Sequence, residues 1–257
     1  MLEINNLSFS YKGRSILEGI SFKAENGQFI SILGRNGVGK STLFKCILKI
    51  LPNYSGQVLI DGEDALNLSV KEIAQRIAYI PQATASTFNY SVEDIVLFGT
   101  TSLIKGLRTP GEKEKELVDN ALKKVGIYNL KERCFHHLSG GEKQLVIIAR
   151  ALAQNANILL LDEPASALDF GNQMRILSLI RQLSQEGYCV IQTTHDPESA
   201  FMFSDKIIAL KDGRILSQGI PNEVLTQENI NNLYGIDTIA TSLYEDKVRV
   251  YTPLNYI

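Results

Sequence analysis

The period of apolar and polar residues changes several times along the chain. Over the first 33 residues they alternate in short runs, LEINNLSF, ILEGISFKA and QFISILG, punctuated by Gly13, Gly19 and Gly27. Alternation bounded by glycine predicts strands, and QVLIDGEDA at 57–65 adds another strand and turn. Between them, Leu43, Phe44, Ile47, Leu48 and Leu51 share one face of a helix that is expected to stop before Pro52. From about 84 to 155 the pattern turns helical: EKEKELVDNALKKVGI and GEKQLVIIARALAQ read as helices, with few strand candidates around them. Apolar strands then return as ANILLLDEP, YCVIQTTHD and DKIIALKDG, with helices such as NQMRILSLIRQLSQ between them. Apolar strands alternating with helices predict a parallel sheet covered on both faces. The expected class is α/β, a core interrupted by a helical insert, with a tail from about 236 to 257 that suits a last hairpin.

Composition narrows the function more than the fold. The 257 residues are 44% hydrophobic, enough for a sizeable core, and the net charge is −2. That balance offers no bulk electrostatic footprint for nucleic acid. Cys46, Cys134 and Cys189 are odd in number and form no CxxC pair, so neither a disulfide framework nor a zinc site is expected, as suits a reducing compartment. The N-terminal MLEINNLSFSYKG lacks the pattern of a signal peptide, and no apolar run approaches the ~18–20 residues that span a bilayer. Any work at a membrane is expected to need a membrane part from another chain. The charge run EKEKE at 112–116 reads as a solvated helix face, and His136 and His137 as surface residues.

Two motifs carry phosphate chemistry. Gly34-Arg35-Asn36-Gly37-Val38-Gly39-Lys40-Ser41 fits G-x-x-x-x-G-K-[ST] and lies between a strand and a helix, where such a loop cradles phosphates with backbone N–H groups. Lys40 is placed to reach the β/γ-phosphates and Ser41 to hold Mg²⁺. The apolar strand Ile158–Leu161 then ends in Asp162 and Glu163, two carboxylates at the strand end where ligands of α/β sheets sit. Side chains alternate along a strand, so the two can serve metal and attacking water separately. His195, closing CVIQTTH, and Gln82, after IAYIPQ, are candidates to sense the γ-phosphate. Less expected is HLSGGEKQLVII at 137–148, where a Ser and two glycines open a helix and make a second anion seat.

The order of these motifs (phosphate loop, Gln after a strand, LSGGE, LLLDEP, SALD, His at a strand end) resembles the ATP-binding cassette (ABC) ATPases over roughly residues 1–235. The resemblance implies a P-loop NTPase (RecA-like) core with an N-terminal antiparallel β subdomain and an inserted α-helical subdomain. The core is expected at 1–83 and 156–235 of a single ATPase domain, the helical subdomain at 84–155 and the tail at 236–257. In that family two cassettes meet head to tail, and each ATP lies between the phosphate loop of one and the LSGG of the other. The resemblance thus implies ATP and Mg²⁺ as cofactors and a homodimer with two composite sites. Residue by residue, Tyr11 is implied to stack on adenine, and Asn36, Gly37, Gly39, Lys40, Ser41 and Thr42 to line the phosphates. Ser139, Gly140 and Gly141 are implied to face the ATP of the other subunit, with Asp169 in the loop crossing the interface. Asp162 is implied as the Mg²⁺ aspartate, Gln82 as a contact of Mg²⁺ or attacking water, Glu163 as general base and His195 as the switch histidine.

YSVEDIVLFG, the link before EKEKELVDNALKKVGI, and DALNLSVKEIAQRIAYIPQ are similar to the ATPases of iron-siderophore, haem and cobalamin importers. ATPases of molybdate and other metal-oxyanion importers share this pattern. The implied partners are integral membrane permeases and, indirectly, an external solute-binding protein, at the cytoplasmic face of a bacterial or archaeal membrane, with no nucleic acid. A soluble cassette ATPase of cofactor assembly and a small-molecule P-loop kinase are the competing readings. The kinase reading leaves LSGGE without a task.

Overall fold

Alternating burial draws the chain's first strands into one antiparallel layer. In a computed structural model, which describes residues 1–82, 89–104 and 108–254, β1 (Leu2–Tyr11) and β2 (Arg14–Ala24) form a hairpin. Strand β3 (Phe29–Leu33), buried at every position, leads through the glycine loop into α1 (Lys40–Ile47). Strands β4 (Ser55–Ile60) and β5 (Glu63–Asp64) complete a four-stranded sheet of order β2-β1-β4-β5. Helix α1 ends earlier than its apolar stripe predicts. Lys49 takes a left-handed φ of 57° and its ammonium donates to the Leu66 and Leu68 carbonyls, which turns the chain before Leu51 can join the helix.

Helix α2 (Val70–Arg76), opened by a Ser69–Glu72 capping box, leads into β6 (Ile77–Ile80). The helical segment follows: α3 (Val92–Leu97), a 3₁₀ turn at Phe98–Leu103, α4 (Glu112–Lys124) and α5 (Gly140–Ala153). Parts of IPQATASTFNYSVEDIVLFGTTSLIKGL (83–88 and 105–107) and the tail's last three residues lie outside the described residues. The EKEKE run is not wholly solvated. Glu114 is buried because its carboxylate accepts from the Gly111 N–H at 2.7 Å and pairs with Arg108 at 2.5 Å, closing the start of α4. His136 and His137 are exposed.

The remaining elements are β7 (Ile158–Asp162), α6 (Phe170–Gln185), β8 (Cys189–Thr194), α7 (Pro197–Phe203), β9 (Lys206–Lys211), β10 (Arg214–Gly219), α8 (Pro221–Val224), α9 (Gln227–Tyr234), β11 (Thr238–Leu243) and β12 (Val248–Pro253). The main sheet has the order β10-β9-β3-β8-β7-β6, parallel except for the edge strand β10. Its two faces divide the core. Leu159, Leu161 and Val190 pack with α3 to α6, whereas Ile158, Leu160, Cys189 and Ile191 pack with α1 and the antiparallel layer. A third cluster joins Leu33, Phe201 and Ala209 to Ile230 and Leu233 of α9. The tail forms the expected hairpin, β11 against β12. Cys46 and Cys189 are buried, and burial pushes both thiols up to about 12, so they stay neutral.

Candidate functional site

Adjacent parallel strands end side by side, and each end delivers one part of the site. Strand β3 delivers the glycine loop, β6 delivers Gln82 two residues on, β7 delivers Asp162 and Glu163, and β8 delivers His195. This is the C-terminal edge of the sheet, where open α/β folds bind ligands.

The loop wraps tightly because Gly39 caps α1 at φ 110°, a backbone region that side chains disfavour, and a Cβ there meets Leu17 at 2.8 Å and the Ile16 carbonyl at 3.1 Å. The loop and the first turn of α1 line a cleft of about 360 Å³ with Asn36, Gly37, Gly39, Lys40, Ser41 and Thr42, closed by Gln82 and Glu163. Lys40 is 5% exposed and curls back: its ammonium donates to the Gly34 carbonyl at 2.6 Å and the Arg35 carbonyl at 3.2 Å and lies 3.4 Å from Glu163 Oε1. Burial pulls this amine below the usual lysine range, against the opposing pull of Glu163 and then Asp162.

Glu163 is the hub. Besides Lys40, its carboxylate accepts from Gln82 Nε2 at 3.2 Å and lies 3.2 Å from His195 Nδ1, so three side chains from three separate elements meet on it. Strand alternation does not aim it. Strand β7 stops at Asp162, and Glu163 turns off it with a left-handed φ of 50°. That strained conformation is held by Thr193, whose hydroxyl accepts from the Glu163 N–H at 3.0 Å and donates to Asp162 Oδ1 at 2.6 Å. Tyr79 donates to the other Asp162 oxygen at 3.4 Å. Thr193 and Tyr79 carry no motif signal; their only trace in the sequence is a place on strands flanking β7.

Other expected residues lie apart from this cleft. Tyr11 is 44% exposed at the end of β1, with the Phe9 ring against it edge-on at 4.8 Å. Its hairpin partner Arg14 lines a second cleft with Ile16, Arg35, Asn36, Gly37 and Asp212. Ser139, Gly140, Gly141 and Asp169 line neither cleft. They form a second surface instead. Ser139 caps α5 in a capping box with Glu142, and Asp169 caps α6 by accepting from Asn172 N at 2.9 Å. The two helix starts touch: a Cβ on Gly141 meets Asn172 Oδ1 at 2.4 Å, so a side chain there displaces the Asn172 amide.

Among the described residues no group of three or more His, Cys, Asp or Glu is placed to hold a metal ion. A protein-only cage is thus absent there. The available donors are the Ser41 hydroxyl, the Asp162 carboxylate and the Gln82 amide oxygen, the hard and sparse set with which Mg²⁺ is held when phosphates and water complete its shell.

The chain is similar to known proteins. The family model for ABC transporter matches residues 17–166. An uncharacterized ABC transporter ATP-binding protein of Haemophilus influenzae is 40% identical, over 91% of this chain and 89% of its own length. A protein of Helicobacter pylori named as a probable iron chelatin transport ATP-binding protein is 36% identical over 98% of this chain and 99% of its own. Among solved structures, an inward-facing metal-chelate type ABC transporter superposes with a TM-score of 0.87 at 33% identity, covering 98% of this chain and 96% of that one.

Proposed function

The chain belongs to the ABC transporter family, and from that premise we propose that it is the ATPase subunit of an importer of metal chelates of the iron-siderophore, haem or cobalamin type. The observation that carries the catalytic half is the convergence of Lys40, Gln82 and His195 on the Glu163 carboxylate. The transported class rests on the similarity to the iron chelatin protein and the metal-chelate type transporter.

ATP occupies the cleft with its phosphates against the N–H groups of residues 36–42. Lys40 exchanges the Gly34 and Arg35 carbonyls for phosphate oxygens, and Tyr11 stacks on the base. Ser41 and Asp162, with Gln82 nearby, would hold Mg²⁺, which when bound would neutralise charge on the phosphates. Glu163 takes a proton from the water whose oxygen bonds to the γ-phosphorus as the bond to the β–γ bridging oxygen breaks. Gln82 and His195 hold that water and the departing phosphoryl group in line. Ser139, Gly140 and Gly141 close the site of a second copy, so hydrolysis requires a dimer. Among the described residues no helix is long and apolar enough to cross a membrane. The likeness to a metal-chelate type ABC transporter supports a dimer that works at the cytoplasmic face on separate permease subunits, fed by an external solute-binding protein.

Glu163→Gln tests this reading. Removing a general base lowers hydrolysis by roughly 10² to 10⁴-fold while ATP binding persists. The variant, tagged and recovered from native membranes with ATP and Mg²⁺, is expected as a dimer bearing a many-helix permease. Wild-type turnover refutes the role of Glu163, and recovery with soluble partners alone refutes the importer.

A further inference from the structure

Tyr234 is the last residue of α9, far in sequence from the site, yet its hydroxyl donates to the main-chain carbonyl of His195 at 2.7 Å. That carbonyl and the N–H of Asp196 belong to one peptide plane. The N–H donates to Thr194 Oγ1 at 3.1 Å. The plane is thus held on both edges, by Tyr234 on one and Thr194 on the other. Immediately after it, Asp196 accepts from Glu198 N and Ser199 N and starts α7. Holding this plane constrains the direction in which the His195 side chain leaves the backbone. The imidazole itself is 46% exposed, and its Nδ1 lies 3.2 Å from the Glu163 carboxylate. A ring this exposed has room to turn, so its backbone contributes to its aim.

Tyr234 is not a loose arm. Ile230 and Leu233 of α9 are buried in the cluster that holds Phe201 of α7 and Leu33 of β3. Asn231 Oδ1 accepts from both the N–H and the hydroxyl of Thr238, at 2.8 and 2.7 Å, which ties the hairpin β11–β12 to the same helix. Burial, with Asp196 and Tyr251 nearby, raises the Tyr234 hydroxyl well above an ordinary phenol, so it remains a donor.

We propose that Tyr234 is a positioning residue for hydrolysis: through the His195 carbonyl it holds the peptide plane that aims the imidazole at Glu163. This rests on the reading that His195 acts in hydrolysis. Purified full-length chain is assayed for phosphate release against ATP concentration as wild type, Tyr234→Phe, Tyr251→Phe, His195→Ala and the Tyr234→Phe, His195→Ala double variant. Tyr251 serves as the control because its hydroxyl bonds the Leu225 carbonyl in the same module and not the His195 loop. Tyr234→Phe is expected to lower kcat about 3- to 10-fold, as loss of one hydrogen bond predicts, with KM within about twofold. Tyr251→Phe is expected to keep wild-type kcat, and Tyr234→Phe to cost nothing further once His195 is Ala. Wild-type kcat in Tyr234→Phe overturns the proposal, as does an equal loss in Tyr251→Phe or an undiminished loss in the His195→Ala background. If His195→Ala alone hydrolyses at the wild-type rate, the role of His195 fails and this inference falls with it, an outcome distinct from a slow His195→Ala beside a fast Tyr234→Phe.

Discussion

At the residue scale, the site depends on a side chain that no motif contains. Thr193 holds both halves of the acidic pair: it donates to the Asp162 carboxylate and accepts from the Glu163 N–H. Asp162 is 5% exposed and Thr193 fully buried, so water cannot readily replace the hydroxyl. Thr193→Val keeps the shape and removes both bonds. The buried carboxylate loses its short donor and the strained Glu163 loses its anchor. The expected cost is about 1–3 kcal/mol of stability, the penalty for buried polar groups left unpaired, with hydrolysis slowed roughly tenfold because the Glu163 carboxylate is no longer fixed. Urea melts and phosphate release check both. An unchanged melt and rate reduce Thr193 to a packing residue. The loop, the carboxylates and the strand-end His were legible because fixed spacing and residue type announce them. Thr193 and Tyr79 were not, since their role arises only when β6, β7 and β8 lie side by side.

At the scale of elements, apolar periodicity foretold the strands of the parallel sheet, the two long helices of the insert and the closing hairpin. It failed where a local polar contact overrides the stripe. Helix α1 stops at Ile47 although Leu48 and Leu51 continue its apolar face, because Lys49 turns left-handed and binds carbonyls across the chain. Glu114 is buried despite its charged neighbours, because it caps its own helix and meets Arg108. The Gly-Gly opening of α5 has a physical cause that the sequence shows only as an oddity. Gly141 lies under Asn172, whose amide donates to Asp169 Oδ2 at 2.7 Å, so the start of α5 packs on the cap of α6. Gly141→Ala places a Cβ 2.4 Å from Asn172 Oδ1. The Asn172 side chain must move and give up its amide bond to Asp169 Oδ2, while the backbone cap from Asn172 N stays. Hydrolysis is expected to fall at least about tenfold, while ATP binding by the isolated chain, measured calorimetrically, stays unchanged because neither helix start lines the phosphate cleft. Weakened ATP binding contradicts this separation of the two surfaces.

For the whole molecule, the phosphate loop and the LSGG segment of one chain are built on different elements, as the proposed site shared between two copies requires. The surface bearing Ser139 and Asp169 also carries Phe170, the first residue of α6, 76% exposed. A single exposed apolar side chain needs no explanation, but this one follows directly on a helix cap that touches the LSGG segment. In a symmetric pair each copy presents the same ring, so one substitution acts twice. Burying a phenylalanine contributes about 1.5–3 kcal/mol, and a change of 1.4 kcal/mol is about tenfold in a dissociation constant. In a Glu163→Gln background with ATP and Mg²⁺, Phe170→Ser is therefore expected to weaken the dimer by at least about tenfold in sedimentation, while the monomer binds ATP as before. Phe170 is remote from the packed core, so the melting temperature of the monomer should not fall. If the substitution leaves dimerisation intact, the ring lies outside the contact between copies, and the face around Ser139 must meet its partner through the helix starts alone.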